Sequence, residues 1–299
     1  MRDDTRGFYE TVVRGAVDDI VRDLDSALDL GALAARAATS PFHFHRIFRG
    51  MVDETPLGLS RRLRLERAAY WLSSTDKSVA TIAFDSGFDT HEAFTRAFRA
   101  GYAMAPSSFR RCRTLRIELA ARCGVHYRVG GTTPFTPVDR GVHEMNVEIV
   151  ELGERTVATV AHVGPYNQVG GAFRRLGAIA GAAGLFDQPG PPEMVAVYHD
   201  DPDVTPPEAL RADAGVVVSQ GRALPDGLAE LRLPAGQYAR TTHVGPYELL
   251  GDVWSRFLGG WLPSSGHRIG SGGTFEIYRN DPSNTPPEAL ITDLHIAIE

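Results

Sequence analysis

One carboxylate on a strand with tyrosine beside it is the feature of this sequence best suited to chemistry. In Thr274-Phe275-Glu276-Ile277-Tyr278, strand alternation puts Thr274, Glu276 and Tyr278 on one face and Phe275 and Ile277 on the other. A glutamate there is either solvated on an exposed sheet face or buried. If buried, it requires a cation or a hydrogen-bond donor, because an uncompensated carboxylate is costly away from water. A comparison within the chain singles it out. His162-Val163-Gly164-Pro165-Tyr166 recurs as His243-Val244-Gly245-Pro246-Tyr247, 81 residues later. Asp201-Pro202 with Thr205 to Leu210 recurs as Asp281-Pro282 with Thr285 to Leu290, 80 residues later. Under this alignment Met194, Ala196 and Tyr198 match Thr274, Glu276 and Tyr278. The tyrosine is kept and the glutamate is not. Two copies of one unit imply a pseudo-two-fold with a seam between them, and a seam is a natural place for a ligand.

Other reactive residue types point to structure. His162 and His243 precede the glycine turn in both copies, which suits a structural hydrogen bond, and they lack the spacing of a metal pair. Cys112 and Cys123 form neither a disulfide framework nor a zinc motif, so a reducing cytosol is expected. No metal and no cofactor are expected. No run of about 18 apolar residues exists to span a membrane, and Met1-Arg2-Asp3-Asp4 lead into no apolar signal region.

The elements that hold these residues differ between the two ends of the chain. In the N-terminal part, Val13, Val17, Ile20, Val21, Leu24 and Leu28 recur at helical spacing, predicting a helix over 8–28. Shorter helices are expected over 33–37, after the turn Ala38-Thr39-Ser40 over 42–51, and over 78–85 and 90–99, with a long one over 57–72. The chain is expected to exit through Ala105-Pro106-Ser107. His43-Phe44-His45-Arg46-Ile47-Phe48 corresponds to Ala93-Phe94-Thr95-Arg96-Ala97-Phe98. Each follows a short helix and a turn, giving two helix-turn-helix units joined by a long helix. Phenylalanines four apart face the core and the arginine between them points elsewhere, which is the division an exposed recognition helix needs. Two arginine clusters, Arg61, Arg62, Arg64, Arg67 and Arg110, Arg111, Arg113, Arg116, suit either phosphates or a solvated helix face.

On Ser40 to Phe48, Arg62 to Ala69, Ile82-Ala83 with Gly87-Phe88, and Phe94 to Phe98 leading to Pro106-Ser107 and Arg110, the chain resembles the DNA-binding domain of AraC/XylS-family transcription regulators. The resemblance implies an all-α domain over residues 1–116 that sets two recognition helices into successive major-groove segments. It implies that Phe42, His43, His45 and Arg46 lie on the DNA side of the first helix and His91, Glu92, Thr95 and Arg96 on that of the second. An arginine paired with a guanine edge contributes about 1–3 kcal/mol of discrimination.

Gly124, Gly130-Gly131, Thr132-Thr133-Pro134 and Pro137 break regular structure, so residues 117–144 read as a linker, with a short strand over 125–129. In the C-terminal part, strands are expected over 147–152, 156–163, 194–198 and 213–218, with a helix over 167–183. The second copy repeats this with strands over 228–233, 237–244, 274–278 and 293–298 and a strongly amphipathic helix over 248–261. Helices with antiparallel strands make an α+β layer in each half, about 145–220 and 226–299.

The paired Gly-Pro-Tyr turns, the Glu-x-Tyr strand and the closing Thr292-Asp293 strand resemble the GyrI-like effector-binding domain over residues 145–299. That resemblance implies a cleft between the repeats that binds small, often cationic and aromatic molecules, with Glu276 at its centre and Trp254, Phe257, Tyr247, Tyr166, Tyr198 and Tyr278 as walls. Charge agrees: residues 1–116 carry a net +3 and residues 141–299 a net −10, and the acidic part attracts cations.

The reading is a multidomain, one-component regulator that binds double-stranded promoter DNA and a small effector and contacts RNA polymerase, as a monomer or homodimer. It is expected to be cytoplasmic, associated with the nucleoid, and not an enzyme. Two alternatives stand beside it. One is a hydrolase of reactive cyclopropane toxins, with Glu276 as general base and Tyr247 or Tyr166 as donor. The other is an acidic module that binds a partner protein.

Overall fold

A computed structural model describes residues 2–26, 28–36, 39–112, 116–130, 134–138, 145–187, 190–200, 202 and 205–299. Met1, Ala37, Ala38, Arg113, Gly131 to Thr133, residues 139–144 of the expected linker and Asp201 lie outside the described residues. The chain divides into two compact units, Gly7–Arg140 and one that contains Gly141–Glu299.

The N-terminal unit is helical: α1 (Arg2–Arg22), α2 (Leu30–Arg36), α3 (Pro41–Val52), α4 (Pro56–Ser74), α5 (Val79–Asp85), α6 (His91–Tyr102) and α7 (Pro106–Arg111). Side-chain caps set the starts. Ser40, Thr55, Ser78 and Thr90 accept the backbone N–H of His43, Gly58, Thr81 and Ala93, satisfying donors that a first helical turn leaves open. Phe94, Phe98 and Phe109 join Leu65, Ala68, Ala69, Leu72, Ile82 and Ala83 in a core beneath α4 to α7.

Three expectations need correction here. The first helix stops at Arg22, not 28, because Asp23 Oδ1 accepts the N–H groups of Asp25 and Ser26 at 3.2 and 3.0 Å. That turn competes with a further helical turn. Ala105-Pro106-Ser107 is not an exit but the start of α7, with proline in the first turn where its missing N–H costs nothing. The strand expected over 125–129 does not form. The connection instead packs as irregular chain, with Cys123, Val125, His126 and Phe135 buried. Glu66 of α4 explains its path. This wholly buried carboxylate accepts the N–H of Leu119 (2.9 Å) and of Tyr127 (2.8 Å) and a guanidinium N–H of Arg62 (3.0 Å), and bonds His126 Nδ1 at 3.0 Å. A buried carboxylate needs donors, and the stretch read as linker supplies three of them.

In the C-terminal unit, β1 (Val147–Leu152), β2 (Arg155–Val163), α8 (Gly170–Ala182), β3 (Met194–Tyr198) and β4 (Arg211–Val218) form the first copy. The second has β5 (Ala229–Leu233), β6 (Gly236–Val244), α9 (Leu250–Arg256), a π-helical turn over Phe257–Trp261, α10 (Leu262–Ser265), β7 (Ile269–Tyr278) and β8 (Ile291–Ile298). All pairings are antiparallel in one eight-stranded sheet, ordered β1-β6-β8-β7-β3-β4-β2-β5. Each copy's first strand borders the other copy: β1 pairs β6, and β5 pairs β2. The centre is β3 against β7, which are equivalent strands.

Helix α8 buries Ala172, Leu176 and Ala180 against Ala158, Val160, Ala214 and Val216 on one sheet face. The opposite face buries Tyr238, Phe275, Ile277 and Val195, and the sheet curls so that Val150, Leu152, Leu231 and Leu233 of the edge strands join them. Each such aliphatic or aromatic side chain contributes about 1.5–3 kcal/mol when fully buried. Strand β7 begins five residues before the expected 274. The run Ile269-Gly270-Ser271-Gly272-Gly273 reads as a loop, yet Gly272 lies so close to the Tyr238 hydroxyl and Ala297 that any side chain would collide, and a register irregularity absorbs the rest.

Candidate functional site

Strand pairing puts Glu276 on the pseudo-two-fold. Its direct partner across β3–β7 is Ala196, which is also its equivalent in the other copy. A residue paired with its own equivalent lies on the axis that relates the copies. A glutamate at both positions would set two carboxylates face to face, with Cβ atoms about 5 Å apart, and like charges so placed repel. The departure from repeat symmetry at this position thus has a physical reason.

Glu276 is 2% exposed. Trp254 Nε1 donates to its Oε1 at 2.6 Å, and the Tyr278 hydroxyl donates to its Oε2 at 2.7 Å. Tyr198 and Tyr278, themselves equivalents, meet hydroxyl to hydroxyl at 3.0 Å. Since the single Tyr278 proton is engaged by Glu276, Tyr198 is the donor of that pair. Burial first, then the Glu276 carboxylate, push the Tyr278 hydroxyl well above its ordinary range, and the same two causes raise Tyr198. Both tyrosines therefore remain protonated donors.

The sequence-expected wall residues gather around this centre. Tyr166 packs edge-on to Tyr198 (4.7 Å between centroids) and Tyr247 edge-on to Tyr278 (5.3 Å). Phe257 is fully buried and stacks on Trp254 with ring centroids 6.0 Å apart. Phe173, not singled out from the sequence, lies edge-on to Tyr278 at 5.5 Å. It was legible: the 81-residue offset that relates Tyr166 to Tyr247 also relates Phe173 to Trp254. The asymmetry is therefore a matched pair. The copy with Glu276 has an indole N–H to serve it, and the copy with Ala196 has Phe173, which carries no polar atom.

Two equivalent tyrosines differ in freedom. The Tyr166 hydroxyl donates to the carbonyls of Asp200 (2.6 Å) and Arg211 (3.0 Å) and accepts the Asp200 N–H (3.0 Å). The Tyr247 hydroxyl makes no hydrogen bond among the described residues. His162 and His243 lock the turns: Nε2 of His162 lies 3.1 Å from the carbonyl oxygens of both Gly164 and Pro165, and that of His243 lies 3.2 Å from the Pro246 oxygen. A carbonyl only accepts, so Nε2 carries the proton. Gly164 and Gly245 take φ of 131° and 142°, which side chains rarely adopt.

The residues expected to face DNA divide sharply. On α6, His91, Glu92 and Arg96 are exposed and Thr95 is half-buried. On α3, Phe42, His45 and Arg46 are buried, and the Arg46 guanidinium lies over the Phe42 ring at 4.7 Å. Their expected exposure is corrected: α3 is buried around most of its circumference, with Phe42, His45 and Arg46 covered as well as the stripe of Phe44, Ile47, Phe48, Met51 and Val52, and the phenylalanine spacing alone conceals it. His43 is half-buried, and desolvation, aided by Arg46, pushes it down to about 4, so it is uncharged at neutral pH. The first arginine cluster is structural. Arg62 Nε reaches both oxygens of Glu54 (3.0 and 2.9 Å), Arg64 donates to the carbonyls of Leu24 and Ser26, and Arg67 pairs Asp25 and lies over Trp71. Only Arg61 of the four is exposed. In the second cluster, Arg110 donates to the Lys77 carbonyl and Arg116 pairs Glu118.

Comparison with known proteins finds a GyrI-like small molecule binding domain over residues 145–299. The chain belongs to that family. A helix-turn-helix domain of AraC type matches residues 33–112. The two together are the architecture of a DNA-binding transcription regulator with an effector-binding domain. The chain is 32% identical over 115 residues to the transposon Tn10 TetD protein of Escherichia coli, covering 38% of this chain and 83% of that one. It is 34% identical over 145 residues to a DNA gyrase inhibitor of Escherichia coli (strain K12), covering 46% and 87%. It is 34% identical over 103 residues to the uncharacterized HTH-type transcriptional regulator YbfP of Bacillus subtilis (strain 168), covering 34% and 35%. In this GyrI-like domain, Glu276 and Tyr278 lie on a central strand of the sheet and Trp254 reaches Glu276 from α9. No helix among the described residues is long and apolar enough to cross a membrane.

Proposed function

We propose that the Glu276 centre is the effector site and that its effector is a small organic cation with aromatic or apolar surface. The observation that carries this is a buried carboxylate held by two neutral donors and ringed by tyrosines. Trp254 and Tyr278 are neutral, so their bonds orient Glu276 without cancelling its charge, and aromatic faces add cation–π attraction to the Coulomb term. Entry is through Tyr247, whose hydroxyl is unbonded among the described residues, whereas Tyr166 is pinned. Displacing one ring costs less than breaking the bonds of the other.

DNA reading is assigned to His91, Glu92, Thr95 and Arg96 of α6. Helix α3 reads bases only after Phe42, His45 and Arg46 are uncovered, so effector binding and α3 exposure are expected to be linked. Linkage of this kind requires that the effector bind the two states unequally. We place catalysis second: the same Glu276 as general base is the hydrolase reading, and loss of cyclopropane turnover in Glu276→Gln would support it. The name of the gyrase-inhibitor relative favours a further reading, a protein-binding role, and inhibition of gyrase supercoiling by the full chain tests it.

The deciding experiment is calorimetric titration of the full chain with tetraphenylphosphonium. Saturable binding that is lost in Glu276→Gln is expected. The Gln variant keeps the shape and the acceptor for Trp254 but removes the charge. Equal binding by wild type and Glu276→Gln overturns the assignment.

A further inference from the structure

A cavity of the C-terminal unit lies apart from Glu276. About 270 Å³ opens between β1, β6 and α9, lined by Met145, Glu148, Arg240, Val244, Val253 and Arg256 among others. Its polar groups are mostly committed. Arg240 pairs Glu148, Thr241 donates to the Asn146 carbonyl at 2.9 Å, and Thr242 donates to Asp293 at 2.6 Å. Arg256 is the exception. It is half-buried and makes no hydrogen bond or ion pair among the described residues. Two ordinary explanations for such an arginine do not apply. Asp252, four residues earlier on α9, is the natural partner on a helix surface, yet no ion pair forms. Nor does Arg256 cap a helix end against the dipole, because the chain continues helically through the π turn to Ser265. With Glu148 answered by Arg240, the cavity carries one uncompensated positive charge beside apolar walls from Val244, Val253 and Met145.

We propose that this cavity is a second ligand site, distinct from the Glu276 centre, and that it takes a small organic carboxylate whose anion pairs Arg256 and whose hydrocarbon part lies on Val244 and Val253. A volume slightly below the usual range for ligand pockets, about 300–1,000 Å³, restricts it to a molecule of about one ring. A guanidinium matches a carboxylate bidentately, so the neutral amide of the same shape is rejected.

Calorimetric titration of the full chain with sodium benzoate and with benzamide, at fixed ionic strength, tests this. Benzoate is expected to bind saturably at millimolar or lower concentration, and benzamide about tenfold more weakly or worse. Arg256→Gln is expected to remove the preference and Arg256→Lys to restore part of it. Val244 is 62% exposed at the mouth, so Val244→Glu leaves the fold intact and weakens benzoate by placing an acid beside it. Glu276→Gln leaves benzoate binding unchanged, which separates this site from the effector site. Equal binding of benzoate and benzamide, no saturable benzoate binding, or wild-type benzoate affinity in both Arg256→Gln and Val244→Glu overturns the proposal.

Discussion

Trp254→Phe turns the second copy into the first at one position of the matched pair, and its cost follows from the geometry. The indole N–H donates to a buried carboxylate at 2.6 Å, with Trp254 only 5% exposed. A hydrogen bond to a charged group contributes about 1.5–3 kcal/mol, and an acceptor left buried loses that much again in part. The smaller ring adds a cavity term of about 1 kcal/mol or more. For a unit of this size about 1 kcal/mol moves the melting temperature by about 2–4 °C, so Trp254→Phe is expected to lower the C-terminal transition by about 5–15 °C. In a Glu276→Ala background the outcome changes. The indole N–H has already lost its acceptor, so removing that orphan offsets the lost volume, and the double variant recreates the Phe173 and Ala196 pair of the first copy. Scanning calorimetry of wild type, both single variants and the double variant closes a double-mutant cycle. A coupling of about 1.5–3 kcal/mol is expected; a coupling within about 0.5 kcal/mol of zero, the additivity expected of independent sites, would refute the matched-pair reasoning.

Further outcomes follow from buried groups. His295 is 1% exposed and stacked on Phe275, and burial holds its folded pKa at about 4 against an ordinary 6.5, with Asp293 opposing and Arg279, Arg240 and Arg155 aiding the depression. The unfolded chain then binds the extra proton as pH falls from 6.5 to 4, so stability falls across that window by about 3 kcal/mol; the pH dependence of the C-terminal melting temperature is expected to flatten in His295→Gln, and an unchanged slope counts against it. Tyr166→Phe, which strips a hydroxyl bonded to two carbonyls, is expected to cost about 1–3 kcal/mol in thermal unfolding, and Tyr247→Phe almost nothing. Arg96→Ala is expected to weaken DNA binding in a gel-shift assay by about 1–3 kcal/mol at unchanged melting temperature. Arg62→Ala is expected to unfold the N-terminal unit first, because it leaves the buried Glu66 and the half-buried Glu54 without their shared cation, a loss of about 3–5 kcal/mol.

Local chemistry wrote much of this molecule directly. Caps at Ser40, Thr55, Ser78 and Thr90 announce their helices, because the orphan N–H groups they satisfy lie three residues away. The Gly-Pro-Tyr repeat aligns the two halves, and the alignment alone isolates Glu276 and would have yielded Phe173. What failed was exposure. Arg46 and Arg96 occupy the same place in two similar helices, yet one is buried and the other exposed, since burial depends on what packs from afar and not on the helix's own period. Arg62, Arg64 and Arg67 suited either phosphates or a solvated helix face in sequence and do neither, for the same reason: their partners, Glu54, Leu24, Ser26 and Asp25, are brought close only by folding. The asymmetry between Ala196 and Glu276 was visible in the sequence. That the two residues face each other on one axis, so that a single carboxylate is the arrangement without like-charge repulsion, is a matter of strand register, and register is decided only when the two copies pair into one sheet.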